Sequence, residues 1–373
     1  MFHTKILSAA LLCLLGTGAA FCQADPNPPP NVFNDYKYDF FILPNGASGT
    51  LTVINNFDVV AGTYYPTDPC CAASASGTGY VRYPDGRIVI FSIANATAVS
   101  MTISGLNDRG ELVGHYTDKT TNNTTGFIRY PDGKIKTLAL GGATESTIPT
   151  GINNEGNTFG LLSNSTNEAD VPFLRYPDGQ YLTFAVPGAA SSLFTDNLND
   201  RGVGLGNFIC SNSEGGVCGF YGKPGGTITT FSYPPNGIIP FEINNRNVIA
   251  GVAYLSAGGD DYFLRKPDGK MILFGLNKLP HFLSIESDLI TLNDEDEAIG
   301  AYSVIYEPSQ NFSGATYNYD FVRSPDGTIS AYDPPSQPGT LLGDVINDRG
   351  VIAGRVVAAS GNGLFLLTPK RCK

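Results

Sequence analysis

Seven times along the chain an apolar residue is followed by Asn and then by Asn or Asp, and no other feature of the sequence restricts its folding as strongly. The copies are Ile54-Asn55-Asn56, Leu106-Asn107-Asp108, Ile152-Asn153-Asn154, Leu198-Asn199-Asp200, Ile243-Asn244-Asn245, Leu292-Asn293-Asp294 and Ile346-Asn347-Asp348. Successive asparagines lie 52, 46, 46, 45, 49 and 54 residues apart. A period of that size marks units too small to bury an apolar face alone, which must stack on their neighbours. Asn, Asp and Gly accept the positive φ of tight turns. Each motif, with the Gly-bearing apolar stretch after it, such as Leu112-Val113-Gly114, therefore reads as a hairpin of two strands, A and B.

A second motif alternates with the first: Tyr80-Val81-Arg82-Tyr83-Pro84-Asp85-Gly86, Phe127 to Gly133, Phe173 to Gly179, weaker at Phe220 to Gly226, then Phe263 to Gly269 and Phe321 to Gly327. Pro presets φ, Asp bonds back to the backbone and Gly supplies positive φ, so Pro-Asp-Gly makes a second hairpin, of strands C and D. The last copy ends at Pro369 without a strand D, while Phe40 lies 15 residues before Asn55, as Phe184 lies 15 before Asn199. Tyr38 to Leu43 thus reads as the missing fourth strand. A ring is sealed in this way, whereas an open solenoid needs caps. The fold expected is all-β: a seven-bladed β-propeller, four strands per blade, with an N-terminal strand completing the last blade.

Residues 1–24 read as a signal peptide, with Lys5 before an apolar run and small residues after it. Cys22 leaves a lipoprotein anchor as an alternative, but Phe21 stands where a small residue is expected. Residues 25–36 read as a flexible N-terminal segment and 37–373 as the propeller domain. No later apolar run is long enough for a transmembrane segment. Without Lys5 the formal charge is about −12 from the −11 of the whole chain, which repels phosphate backbones and argues against a nucleic acid partner.

The short A-to-B and C-to-D turns share one face. The B-to-C and D-to-A loops share the other, and all large length variation falls there, at 66–78, 118–125, 210–218, 256–261, 276–287 and 307–318. Binding residues concentrate on such loops, which makes that face the candidate surface. Its ligand-binding candidates are Tyr65, Asp260, Asp261, His281 and Tyr306, with Tyr64, Tyr302 and Tyr317 as further aromatic groups. Cys210 and Cys218 bracket one loop and are expected to form a disulfide; Cys70, Cys71 and Cys372 leave an odd number of exported thiols. The cluster Asp294-Glu295-Asp296-Glu297 lacks the spacing of a calcium loop and reads as a solvated turn.

Leu140-Gly141-Gly142-Ala143, followed by Gly151-Ile152-Asn153-Asn154-Glu155-Gly156 and Gly160, resembles the extracellular repeat proteins of the HAF family over nearly the whole exported chain. The His-Ala-Phe triplet of that family is absent; the matching strands read Thr125-Gly126-Phe127, Val171-Pro172-Phe173 and Cys218-Gly219-Phe220. The resemblance implies export and a repeat fold, and transfers no catalytic residues.

Only His115 and His281 follow the signal, which leaves little for a zinc site or a Ser-His-Asp arrangement. No catalytic residue, metal or cofactor is expected. The reading is a secreted or periplasmic monomer that binds a glycan, a cell-envelope component or a protein through its variable loops. The alternatives are a propeller hydrolase or lyase acting on polysaccharide or a lactone, and a structural cell-envelope protein.

Overall fold

The computed structural model describes residues 30–65, 77–94, 96, 101–140, 145–164, 170–210, 216–234, 237–254, 260–274, 290–305, 316–334, 341–356 and 363–370. Each repeat folds into one antiparallel sheet. Blade two, for example, runs Thr102–Leu106, Leu112–Thr117, Thr124–Arg129 and Ile135–Leu138, each strand paired with the next. Six sheets follow this meander, and the seventh is made of Leu341–Ile346, Ile352–Val356, Gly363–Pro369 and the N-terminal strand Tyr36–Ile42. Tyr36–Ile42 pairs antiparallel with Gly363–Pro369 from Tyr36 opposite Pro369 to Ile42 opposite Gly363, which closes the ring.

Among the described residues the apolar core is divided into seven clusters, and each lies between two adjacent blades. Tyr80 and Leu51 of blade one, for instance, pack on Val351 and Leu364 of blade seven. Middle strands are covered on both faces, so consecutive residues such as Gly126, Phe127, Ile128 and Arg129 are all buried. The Phe of the second motif is fully buried at 127, 173, 220, 263, 321 and 365, each ring worth about 2–3 kcal/mol of removed apolar surface. The arginine of the second motif packs across the seam. Arg82 stacks on Phe41, Arg129 on Phe91 and Arg323 on Phe274, each ring belonging to the outer strand of the preceding blade.

The described part of the N-terminal segment makes contacts with the ring. Val32 donates its N–H to the Ala331 carbonyl, Ala331 donates to the Pro30 carbonyl, and Asn31 Nδ2 reaches the Asp333 carbonyl at 2.8 Å. Val32 and Phe33 also pack against the core between blades six and seven. The chain thus covers the outer edge of blade six before it enters blade seven. The signal region lies outside the described residues.

Candidate functional site

The first asparagine of each motif does two things. Its Oδ1 accepts backbone N–H groups of its own turn; Asn153 Oδ1, for example, accepts from Glu155 at 3.2 Å and Asn157 at 2.9 Å. Its Nδ2 crosses to the next blade and donates to the carbonyl of that blade's first asparagine. The bonds run Asn55 to Asn107, Asn107 to Asn153, Asn153 to Asn199, Asn199 to Asn244, Asn244 to Asn293, Asn293 to Asn347 and Asn347 to Asn55, at 2.9–3.1 Å. All seven asparagines are buried. Three turns lack Gly and place Asp58, Asn247 and Asp296 at positive φ. Each of these side chains accepts a second bond from the preceding blade's asparagine, which offsets the backbone strain.

The second motif residue alternates around the axis: Asn56, Asp108, Asn154, Asp200, Asn245, Asp294, then Asp348. Every backbone N–H in this ring donates to the next residue's Oδ1. The amides Asn56, Asn154 and Asn245 each donate to both flanking carboxylates, at 2.6–3.1 Å. At the junction of Asp294 and Asp348 two acids stand side by side. Asp294 is raised above the usual carboxylate range by burial, against the bond from Asn245, and further by the charges of Asp348 and Asp200. The turn read as solvated leaves Glu295 exposed and sets the half-buried Asp294 against the axis. Asp296 is held at 2.8–3.0 Å by Lys266 and Arg246.

This ring lines an axial cavity of about 180 Å³, and a second axial cavity of about 310 Å³ lies deeper. Ile54, Leu106, Ile152, Leu292 and Ile346 border both and form an apolar collar between them. Strand A bulges at Ser104, Thr150, Phe241 and Asp344, and across Asp196 and Asn197. A bulge re-aims a side chain out of its strand's alternation. The deeper cavity is accordingly lined by Thr52, Ser104, Thr150, Thr291, Asp196, Glu242 and Asp344, and none of its described lining residues is Lys, Arg or His. The Oγ1 atoms of Thr52, Thr150 and Thr291 have no hydrogen-bond partner among the described contacts.

The three acids are enclosed by protein although they face the channel. Burial pushes Asp196 up to about 7, against a 3.1 Å bond from Asn207. Burial, and then the charge of Asp196, lift Glu242 to about 8, while Asn197 donates to it. Burial raises Asp344 to about 7, opposed by Arg355 at 3.6 Å. At neutral pH the channel thus presents protonated or half-protonated carboxyls and hydroxyls, which donate as well as accept hydrogen bonds.

The candidates on the loop face are not brought together by the described structure. Tyr65 ends its strand, 43% exposed. Asp261 is buried within the strand Asp260–Arg265 and cannot offer its carboxylate at the loop surface. The side chain of Asp260 and the whole of His281 and Tyr306 lie outside the described residues. Cys210 and Cys218 are joined as a disulfide. His115 lies outside both cavities; burial lowers its pKa, against a bond to the Pro149 carbonyl. Asp196, Glu242 and Asp344 were not singled out from sequence. Aligned on the Asn, Asp196 and Asp344 stand three residues before it, where other copies carry Thr52, Ser104 and Thr150, whereas Glu242 stands two before, where others carry Val53, Gly105 or Thr291.

No family model matches the chain, and no curated protein matches it. Solved structures do. A catalytically inactive form of virginiamycin B lyase from Staphylococcus aureus with quinupristin aligns with a TM-score of 0.57 at 16% identity, covering 89% of this chain and 99% of that one. The β-propeller domain of the Trilobed protease from Pyrococcus furiosus, described as having an open velcro topology, aligns with a TM-score of 0.56 at 9% identity, covering 86% and 95%. Likeness at such identity carries the fold alone. The chain is a seven-bladed β-propeller, closed here by its N-terminal strand. Among the described residues no helix is long and apolar enough to cross a membrane.

Proposed function

We propose that the protein is an exported binding or interaction module and that its ligand enters the deeper axial cavity. The resemblance to HAF-type repeat proteins and the signal-like N-terminus support export. The observation that carries the binding reading is the cavity wall, where three acids and four hydroxyl residues converge, one from each of the seven blades, with no cationic side chain among the described lining residues. Such a wall disfavours anions and suits a neutral, hydroxyl-rich group, the chemistry of a glycan end or a sugar-like envelope fragment. The variable loops, largely outside the described residues, would then set access and specificity.

The experiment is a calorimetric and thermal-shift titration of the purified protein with neutral, acidic and amino-substituted oligosaccharides, repeated on Glu242→Gln. A ligand that prefers the folded state raises the midpoint. Neutral sugars are expected to shift the wild type and to shift Glu242→Gln less. Binding that is strongest for polyanions, or that ignores channel substitutions, would refute the site.

One observation favours the alternative of a hydrolase or lyase acting on polysaccharide or a lactone. Glu242 keeps its proton near neutral pH beside Asp196, as a general acid must. Turnover of a bound oligosaccharide that disappears in Glu242→Gln while binding persists would select this reading.

A further inference from the structure

Blade six departs from the repeat at the seam it shares with the closing blade. Just before the buried aromatic residue of strand C, three blades carry Gly (Gly79, Gly126 and Gly219), and blades three, five and seven carry Pro172, Tyr262 and Leu364; blade six carries Asp320. At the end of strand D, where others have Phe or Leu, blade six has Tyr332, followed by Asp333. In strand A of the next blade, four residues before the Asn, blade three has Pro149, while blade seven has Gly343.

These positions meet at one node between blades. Between blades two and three a methyl added at Gly126 would press on Pro149 at 2.7 Å and on Leu138 at 3.2 Å. Between blades six and seven the space is exchanged: the glycine stands at 343, and a methyl there would collide with the Tyr332 hydroxyl. An apolar node is thereby replaced by two carboxyls and a phenol. Asp320 is 2% exposed, and Tyr332 and Asp333 are fully buried. Asp320 Oδ1 and Tyr332 Oη have no hydrogen-bond partner among the described contacts. Asp333 accepts the backbone N–H groups of Asp320 at 2.8 Å and Leu341 at 3.0 Å, tying strand C of blade six to the first strand of blade seven.

We propose that Asp320 and Asp333 hold one proton between them, and that this buried proton latches blade six to the closing blade. Two carboxylates buried together without a cation repel each other and lack solvation, whereas one shared proton converts the repulsion into a hydrogen bond. The groups facing Asp320 are Asp333 and Tyr332 from its own blade and Asp344 from strand A of blade seven. Asp344 is in turn paired with Arg355 at 3.6 Å. Burial foremost, then the charge of Asp333, lift Asp320 to about 9, while a bond from the Gly343 backbone opposes the shift. A carboxyl raised in the folded state stabilises the fold at low pH, and that contribution declines as pH rises until the folded value is passed.

The test compares wild type with Asp320→Asn, which keeps the shape and supplies a permanent donor. The thermal midpoint of wild type is expected to fall by a few degrees relative to the variant between pH 5 and 9, and the two curves to run parallel above pH 9. The infrared difference between the two proteins at pH 7 should contain one protonated-carboxyl band. Should Asp320→Asn fail to fold, a pH titration of that band in wild type and in Asp333→Asn replaces it. Parallel curves throughout, or no carboxylic-acid band assignable to this pair at pH 7, overturn the proposal.

Discussion

Replacing Asn153 by alanine and, separately, by aspartate divides the two tasks of the motif asparagine. Alanine removes two turn bonds, from Glu155 and Asn157, and the 3.1 Å bond across the seam to the Asn199 carbonyl. Asn153 is 3% exposed, so the abandoned groups gain no water. At about 1 kcal/mol per bond, with an added penalty for orphaned buried groups, the loss should be about 3–5 kcal/mol. Aspartate keeps the turn acceptor and forfeits only the donor when ionised. Its cost should therefore be smaller at pH 5, where a neutral carboxyl can donate, and should grow toward that of alanine at pH 8, where a carboxylate would face the Asn199 carbonyl. Urea unfolding of the three proteins at both pH values provides the check. An alanine cost below about 1 kcal/mol, or an aspartate cost that does not change with pH, would refute the inter-blade clamp.

Four other outcomes are expected. Reducing the Cys210–Cys218 bond, or Cys218→Ser, should lower stability by about 2.5 kcal/mol, the chain-entropy value for so short a loop, read as an unfolding midpoint with and without reductant. Glu242→Gln should flatten the loss of stability between pH 5 and 8, because a carboxyl lifted to about 8 stabilises the fold only while it holds its proton; identical pH profiles would contradict this. Arg265→Met should cost about 1 kcal/mol through loss of stacking on Tyr221 and Phe231, and Arg265→Lys should recover little of it. Deleting residues up to Ile42 should strip the outer strand from blade seven and uncover the edge of blade six, seen as a large drop in the apparent melting temperature.

The repeat register, the blade number, the sealing strand and the disulfide were legible because each rests on local turn chemistry or on counting. Phe40 could be placed by its distance from Asn55, and the structure sets it opposite Phe365. The clamp role of the asparagines was not legible, since the carbonyl that Asn107 reaches belongs to a residue 46 positions away and arrives only when the blades curve round. The channel acids were hidden for a different reason. Strand alternation sends every second side chain inward, and a one-residue bulge in strand A of blades four and seven overturns that parity for Asp196 and Asp344. Asp261, set at the loop end of strand C by counting, lies in the strand Asp260–Arg265 and is buried there, which the sequence did not signal.

The alternation of amide and acid around the axis has an arithmetic side. Two kinds of residue can alternate without fault only around an even ring, so seven places force one like pair. Here the pair is Asp294 and Asp348, and exchanging either for Asn would merely move the fault to an amide–amide contact with Asn245 or Asn56. Near-equivalent blades therefore compose a mouth with a fixed bearing. Whatever approaches along the axis meets an aperture with one distinguishable direction, at the join of the sixth and seventh blades.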